Sequence, residues 1–375
     1  MSKTGIHDIL GNLSGQRFSL ASALNVIYLV SFAAFFLYGQ RIQTLVMLAS
    51  VRRKLGRLDL FRNSARGRLL DLMRRYNPNK AEVGNVLDRL TKSFMITPEN
   101  LDPAGVVGKL EHVLDTYDGY LKHEVHRLAP EATETEVDNL SNLLEVSIGL
   151  DTMFRVVRHY YLQSKKQGGI LALTQLQMSL PTIMEEAEAY NSAVEAFAQG
   201  KCIGDGIGPL VVTRFVQRSK AREFVNETNV YEDSFEGRRL FIVRAKGPGG
   251  NVGKPGLAVE KLIQERGPVN LIVTVDAALK FEGEFTGEIA EGVGAAIGGP
   301  GVERYHIEEA AARNGIPLHA VVVKMSSKEA ISEMKPQIRN ATDEIVQLVR
   351  ATILASTDLG DTVILAGIGN TIGVE

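Results

Sequence analysis

Apolar and polar positions along the chain change rhythm twice. From residue 20 to 39, "LASALNVIYLVSFAAFFLYG" carries no charged side chain. From about 45 to 199 the apolar residues recur at three- and four-residue steps, as Val137, Leu140, Leu144 and Ile148 do. That is the period of helices with one buried face. Thr133 and Glu136 stand at capping-box spacing and predict a helix start there. Another helix opens near Pro103, as a first turn allows, and a third runs from about 169 to 199 with a bend expected at Pro181. After Lys201 strand-like and helical runs alternate. Strands are expected at 238–246, 269–279, 317–325 and 361–373, and helices at 256–266, 301–315 and over most of 328–356. The run "VNLIVTVDAAL" is continuously apolar, as when both faces of a sheet are covered.

Such a pattern predicts an all-α helical domain of antiparallel helices followed by an α/β domain with a mainly parallel sheet. A single N-terminal transmembrane helix is expected in front, because a span needs ~20 mostly apolar residues and 20–39 supplies them. Between Arg41 and Lys80 stand Arg52, Arg53, Lys54, Arg57, Arg62, Arg66, Arg68, Arg74 and Arg75, against Asp59 and Asp71. The positive-inside rule puts that side in the cytoplasm. The expected layout is an extracytoplasmic 1–19, a span at 20–39, a basic juxtamembrane segment at 40–80, a helical bundle at 81–199 and the α/β domain at 200–375. It implies a single-pass protein of the cell membrane with most of its chain cytoplasmic. The basic segment would rest on anionic lipid headgroups, at about 1 kcal/mol per well-placed cation. A cleaved signal peptide fits poorly, since the run is too long and no A-x-A site follows. No polar face between Val26 and Leu37 suggests an interfacial helix. Ser22, Asn25 and Ser31 dilute the run and leave a buried core helix as the alternative.

Composition changes this picture little. At 375 residues the chain has room for two domains. A net charge of −2 gives no sign of a nucleic-acid partner, and the one cysteine, Cys202, excludes an internal disulfide or a Cys-rich zinc site. His123 and His126, in "KHEVHRL", lack the H-E-x-x-H spacing and read as solvated.

The candidate chemistry sits in the α/β part. Ligand sites of such sheets gather at the carboxyl ends of strands, and Asp276, Asn370 and the loop 247–256 fall there. Asp205 lies in the turn "GKCIGDGIGPLVV", where a carboxylate is unexpected in a Gly-rich bend. A strand before that turn is missing, and the last one, "TVILAGIGN", is the candidate to lie beside it. Gly206, Gly208, Asn370 and Lys254 are the candidate substrate-binding residues. Helix capping is the structural alternative for Asp205. "KGPGGNVGKPG" fails the phosphate-loop pattern, because Pro248 and Pro255 stand where Gly and Ser or Thr are needed. A flexible flap carrying Lys254 is the better reading. Neither "GDGIGP" nor "GIGNTIG" completes a dinucleotide fingerprint.

Together "ILAGIGN" (364–370), "GDGIGPLVV" (204–212) and "VTVDA" (273–277) resemble the fold of the hydrogenase-maturation endopeptidases and spore germination proteases. The order is circularly permuted, with the GxGN strand last. "GVGAAIGGPGVERYHIEEAAARNGIPLHAVVV" is similar to the glycine-rich crossover of the germination proteases. The resemblance covers about 201 to 375. The whole chain also resembles an archaeal membrane-anchored family with no assigned function. The first resemblance implies that Asp205 and Asp276 are a catalytic pair, or that both bind a divalent transition metal with His306 as third ligand. Two close carboxyls cannot both ionise cheaply, which suits either role. The expectation is a membrane-tethered hydrolase, most simply a peptidase-like enzyme with a protein or peptide substrate. A non-catalytic membrane-anchored scaffold or ligand-binding protein is the alternative, and a homo-oligomer is left open.

Overall fold

In the computed structural model of the protein, residues 20–77, 79–98, 105–167, 170–217, 219–299 and 301–375 are described. The expected N-terminal tail at 1–19 and Pro103 lie outside them. Five helices come first: α1 (Leu20–Arg75), α2 (Lys80–Leu90), α3 (Val106–Leu128), α4 (Glu134–Gln167) and α5 (Ile170–Gln199). The capping box before α4 forms as its spacing predicts. The Thr133 and Glu136 backbone N–H groups donate to each other's side chains at 2.7 and 3.3 Å. Helix α5 runs unbroken across Pro181.

The chain divides into two compact units. One comprises the residues up to Leu55 together with Val157–Leu180, and buries Met47, Val51, Val157, Leu173 and Leu180. The other comprises Gly56–Val156 and Pro181–Glu375. Its helical part buries Leu58, Leu69, Met73, Leu87, Leu121, Leu143 and Leu150 completely.

The expected membrane span is corrected here. Among the described residues no helix is long and apolar enough to cross a membrane. The stretch 20–39 is the opening of a 56-residue helix that continues through the basic segment to Arg75. Leu24, Val26, Ile27, Leu29 and Val30 on it are exposed. Four of the basic residues behind it are engaged within the protein. Arg57 pairs with Glu188, Arg62 with Asp59 and Asp151, Arg66 with Asp88 and Arg68 with Glu195, at 2.5 to 3.6 Å. Single-pass membrane localisation therefore loses its support.

The α/β part opens with a 3₁₀ turn at Gly204–Gly206 and a short helix, α6 (Ile207–Thr213). Then follow β1 (Arg222–Val225), β2 (Thr228–Phe235), β3 (Arg238–Ala245), α7 (Pro255–Arg266), β4 (Leu271–Leu279) and β5 (Ile289–Val293). The chain ends with α8 (Val302–Asn314), β6 (Leu318–Met325), α9 (Ser327–Ile331), α10 (Pro336–Ser356) and β7 (Thr362–Gly367). The strands form one sheet in the order β1-β2-β3-β7-β4-β6-β5. Only its middle is parallel: β3 with β7, β7 with β4 and β4 with β6. The β1–β2, β2–β3 and β5–β6 pairs are antiparallel, so the sheet is mixed and not mainly parallel. The reason is local. Glu236 and Gly237 both have positive φ, the geometry of a two-residue hairpin turn, so β2 folds straight back on β3.

Strand β7 is buried along its whole length. Val363 and Leu365 face the layer that includes α6 and α10, while Ile364 and Ala366 face α7 and α8. Both faces of this strand are covered, which is why its sequence does not alternate. Helix α6 presses so close to the sheet that a side chain at Gly208 would collide with the carbonyl oxygens of Ile368 and Val275. Replacing Gly208 by Ala is expected to destabilise the protein by about 1–3 kcal/mol, by forcing helix and sheet apart. A lowered urea midpoint for Gly208→Ala checks this, and an unchanged midpoint would mean that the contact gives way freely.

Candidate functional site

Three segments distant in sequence meet at the carboxyl ends of β4 and β7. Beyond Gly367 the chain leaves the β7 ladder, with the Ile368 N–H still donating to Val275 O at 2.9 Å. It then turns through Gly369, whose φ of 123° favours glycine. A Cβ there would strike the backbone oxygen of Asp205. The turn delivers the Asn370 backbone N–H to Asp205 Oδ2 at 2.8 Å. The last strand thus supplies the neighbour that the turn at 203–208 lacks in sequence.

The same bond settles the capping alternative. No side chain caps α6 or the 3₁₀ turn before it, and Asp205 points to the end of the chain instead. Asp276, the sixth residue of β4, is 4 % exposed. Its Oδ1 accepts from the Ala277 N–H at 2.6 Å, and the Gly298 N–H also donates to it.

Both carboxyls are pushed above the usual carboxylate range. For Asp276 burial is the largest cause and the charge of Asp205 the second, against two backbone N–H groups that favour ionisation. For Asp205 burial outweighs the Asn370 N–H. Each group's proton therefore depends on the other's, and the two titrate as a pair.

Asp205 opens into a cavity of about 190 Å³ lined also by Asn142, Glu145, Val146, Tyr190, Phe197, Ile203, Ile331 and Asn370. Asp276 is buried and is not among the lining residues. The helices α4 and α5 supply the outer wall. Glu145 lines the recess as an exposed side chain. The protein crowded about its carboxyl, then the Asp118 carboxylate, push its pKa up, and Lys122 opposes them. Tyr190 is likewise raised, by burial first and then by Glu186 and Glu145. The two asparagines hold the walls together. Asn370 Nδ2 donates to Asn142 Oδ1 at 3.2 Å, while Asn370 Oδ1 accepts from Ile372 N at 2.9 Å.

The other expected site residues are placed differently. The Gly206 N–H is spent on Ile203 O, and Gly208 is a packing contact. Lys254 binds Asp115 at 2.5 Å and Glu111 at 3.4 Å, away from the cavity lining. Its loop is pinned and no free flap. Gly250 is tied to Asn139 and Asn142, Pro248 O accepts from the Gly373 N–H, and the Thr371 hydroxyl meets the carbonyls of Lys246, Gly249 and Asn251.

His306 is bound to Glu260 at 2.7 Å and lies 3.4 Å from Glu111. Among the described residues no group of three His, Cys, Asp or Glu side chains converges as a metal would need. The expected metal site is therefore corrected: its third ligand is committed elsewhere. His123 and His126 are exposed, as their spacing suggests. Burial pushes the Cys202 thiol up, the opposite of what a thiolate nucleophile requires.

Comparison with known families matches residues 25–200 to the "Protein of unknown function (DUF1512) N-terminal domain". Residues 203–375 match the "Domain of unknown function (DUF1512) C-terminal". The chain belongs to the DUF1512 family. A comparison with curated proteins finds no match. Neither result supports the labels hydrolase, peptidase or metal-binding, and these expectations are not carried further. Asn142, Glu145 and Tyr190 escaped the sequence reading. They sit on helices whose periodicity explains them as ordinary surface or core positions, and only the packing of α4 and α5 against the turn brings them to Asp205.

The pair's protonation has a sign that stability measurements read. Because the folded-state pKa of Asp276 is raised, its favourable contribution is complete below the unfolded carboxylate value near ~4 and is lost as pH rises through the folded value. Asp276→Asn removes that loss. The variant is expected to match the wild type at pH 4 and to be more stable at pH 8, as read from urea midpoints at both pH values.

Proposed function

We propose that the protein performs acid–base chemistry on a small polar substrate held in the cavity in front of Asp205. The observation that carries this reading is the coupling of two carboxyls, the buried Asp276 and Asp205, which lines the recess. Asp276 has the stronger upward push and keeps the shared proton. Asp205, steadied by the Asn370 N–H, is the carboxylate that takes a proton from the substrate. One buried acid holding its proton while its neighbour ionises is the arrangement that divides acid from base roles at neutral pH.

The resemblance of "ILAGIGN", "GDGIGPLVV" and "VTVDA" to the maturation endopeptidases and germination proteases supports the choice of these two aspartates. It supplies no substrate. An enzyme is favoured over a scaffold because a scaffold has no need of a concave site with displaced carboxyl titrations.

The test is to incubate the full chain with a mixture of small polar metabolites at pH 7 and follow each component by NMR. Consumption of one component, slowed by about 10²–10⁴-fold in Asp205→Asn, is the expected outcome. Binding without consumption would leave a ligand-binding protein in place of an enzyme. Carbon-13 spectra of labelled Asp side chains supply the second readout. Ordinary titrations near ~4 for both Asp205 and Asp276 would overturn the acid–base reading.

A further inference from the structure

We infer that Asn142 of α4 is a positioning residue for Asp205, acting through Asn370, so that the helical part controls how this carboxyl is aimed. The inference rests on the acid–base reading of the same pair and names what regulates it.

Among the described residues one hydrogen bond reaches the Asp205 carboxyl, from the Asn370 backbone N–H to Oδ2 at 2.8 Å. The direction of that N–H decides how the carboxyl is held. It is set by the Asn370 side chain, which is buried and fixed at both ends. Oδ1 accepts from the Ile372 N–H at 2.9 Å, closing the turn an asparagine makes with its own backbone. Nδ2 is then the end that faces α4, and it donates to Asn142 Oδ1 at 3.2 Å.

The Asn142 amide has no freedom to turn over. Its Nδ2 faces two carbonyl oxygens, of Asp138 at 2.8 Å on its own helix and of Gly250 at 2.5 Å. Flipping the amide would set an oxygen against both carbonyls and a nitrogen against the Asn370 nitrogen. Both amides are locked in one orientation, and the contacts run from α4 through Asn142 and Asn370 to Asp205. One short side chain thus joins the helix, the loop at Gly250 and the turn after β7. An amide offers two donors beside an acceptor on the same stem, which no aliphatic or hydroxyl side chain does.

The competing role for Asn142 is to fasten the loop and nothing more. Asn139 separates the two roles. Its Oδ1 accepts from the Gly250 N–H at 2.8 Å, yet it has no hydrogen bond to Asn370 or Asp205. The sign of the effect follows from burial. The Asn370 N–H favours the ionised form of Asp205 against the push of desolvation. Loosening it leaves that push unopposed, so Asp205 holds its proton to higher pH.

The experiment is the carbon-13 titration of Asp205 in the full chain with labelled Asp side chains, once urea midpoints show each variant to be folded. Asn142→Ala is expected to move the Asp205 titration further up. Gly250→Ala keeps Asn142 but sets a methyl carbon 2.7 Å from its Nδ2, and it carries the same expectation should Asn142→Ala not fold. Asn139→Ala loosens the same loop and should leave the titration where the wild type has it. An unmoved titration in the folded variant, or an equal move in Asn139→Ala, would overturn the positioning role. Wild-type titrations near ~4 would instead sink the acid–base reading. Displaced wild-type titrations that ignore Asn142→Ala leave that reading standing and remove only the positioning role.

Discussion

The six residues Thr362–Gly367 hydrogen-bond on both edges, to β3 on one side and to β4 on the other. They are the last regular element of the chain, yet they form the centre of its sheet. Every parallel pairing except β4–β6 runs through them, and both hydrophobic layers pack on their side chains. A sheet closed by its final strand is dominated by contacts of long sequence separation, which carry a high loop-closure cost before they stabilise anything. The turn that follows the strand inherits its position. Asn370 reaches Asp205 only because Gly367 ends in register with Val275.

That dependence places the reactive groups where burial governs their protons. Asp276 stands on a rigid central strand, and Asp205 on a 3₁₀ turn wedged between Gly369 and Met325. Neither carboxyl meets a cation, so desolvation is the leading influence on both. Glu329 is a contrasting acid. It is also pushed up by burial, but its hydrogen bonds to Lys335, Ser326 and Thr286 overcome this and hold it at about 2. The difference between the two environments is the presence of donors and a lysine, and it separates an acid built to stay charged from a pair built to keep a proton.

The helical part completes the cavity as well as packing against the α/β part. Asn139 and Asn142 of α4 fasten the loop at Gly250, and three residues further on Glu145 faces the cavity. One helix face thus positions both the supporting and the exposed groups of the site, at the i, i+3 spacing that brings side chains together.

Periodicity and turn chemistry determined much from the sequence alone. The capping box at Thr133, the continuous apolar strand around Val273, the helix before Gly315 and the last strand were legible, because each is specified by residues adjacent in the chain. The edge strands β1 and β5 were not, since short, largely exposed strands carry weak patterns, and neither was β2 beside β1. The apolar run at 20–39 is long by composition, but composition does not say whether a helix stops there, and this one continues into an ion-paired basic stretch. Asp205 and Asp276 could be singled out by their turn and strand end. Their coupling, the commitment of His306 to Glu260, and the arrival of Glu145 and Tyr190 at the cavity were decided only by tertiary packing. Desolvation and charge proximity depend on what lies across space, and no local spacing encodes that.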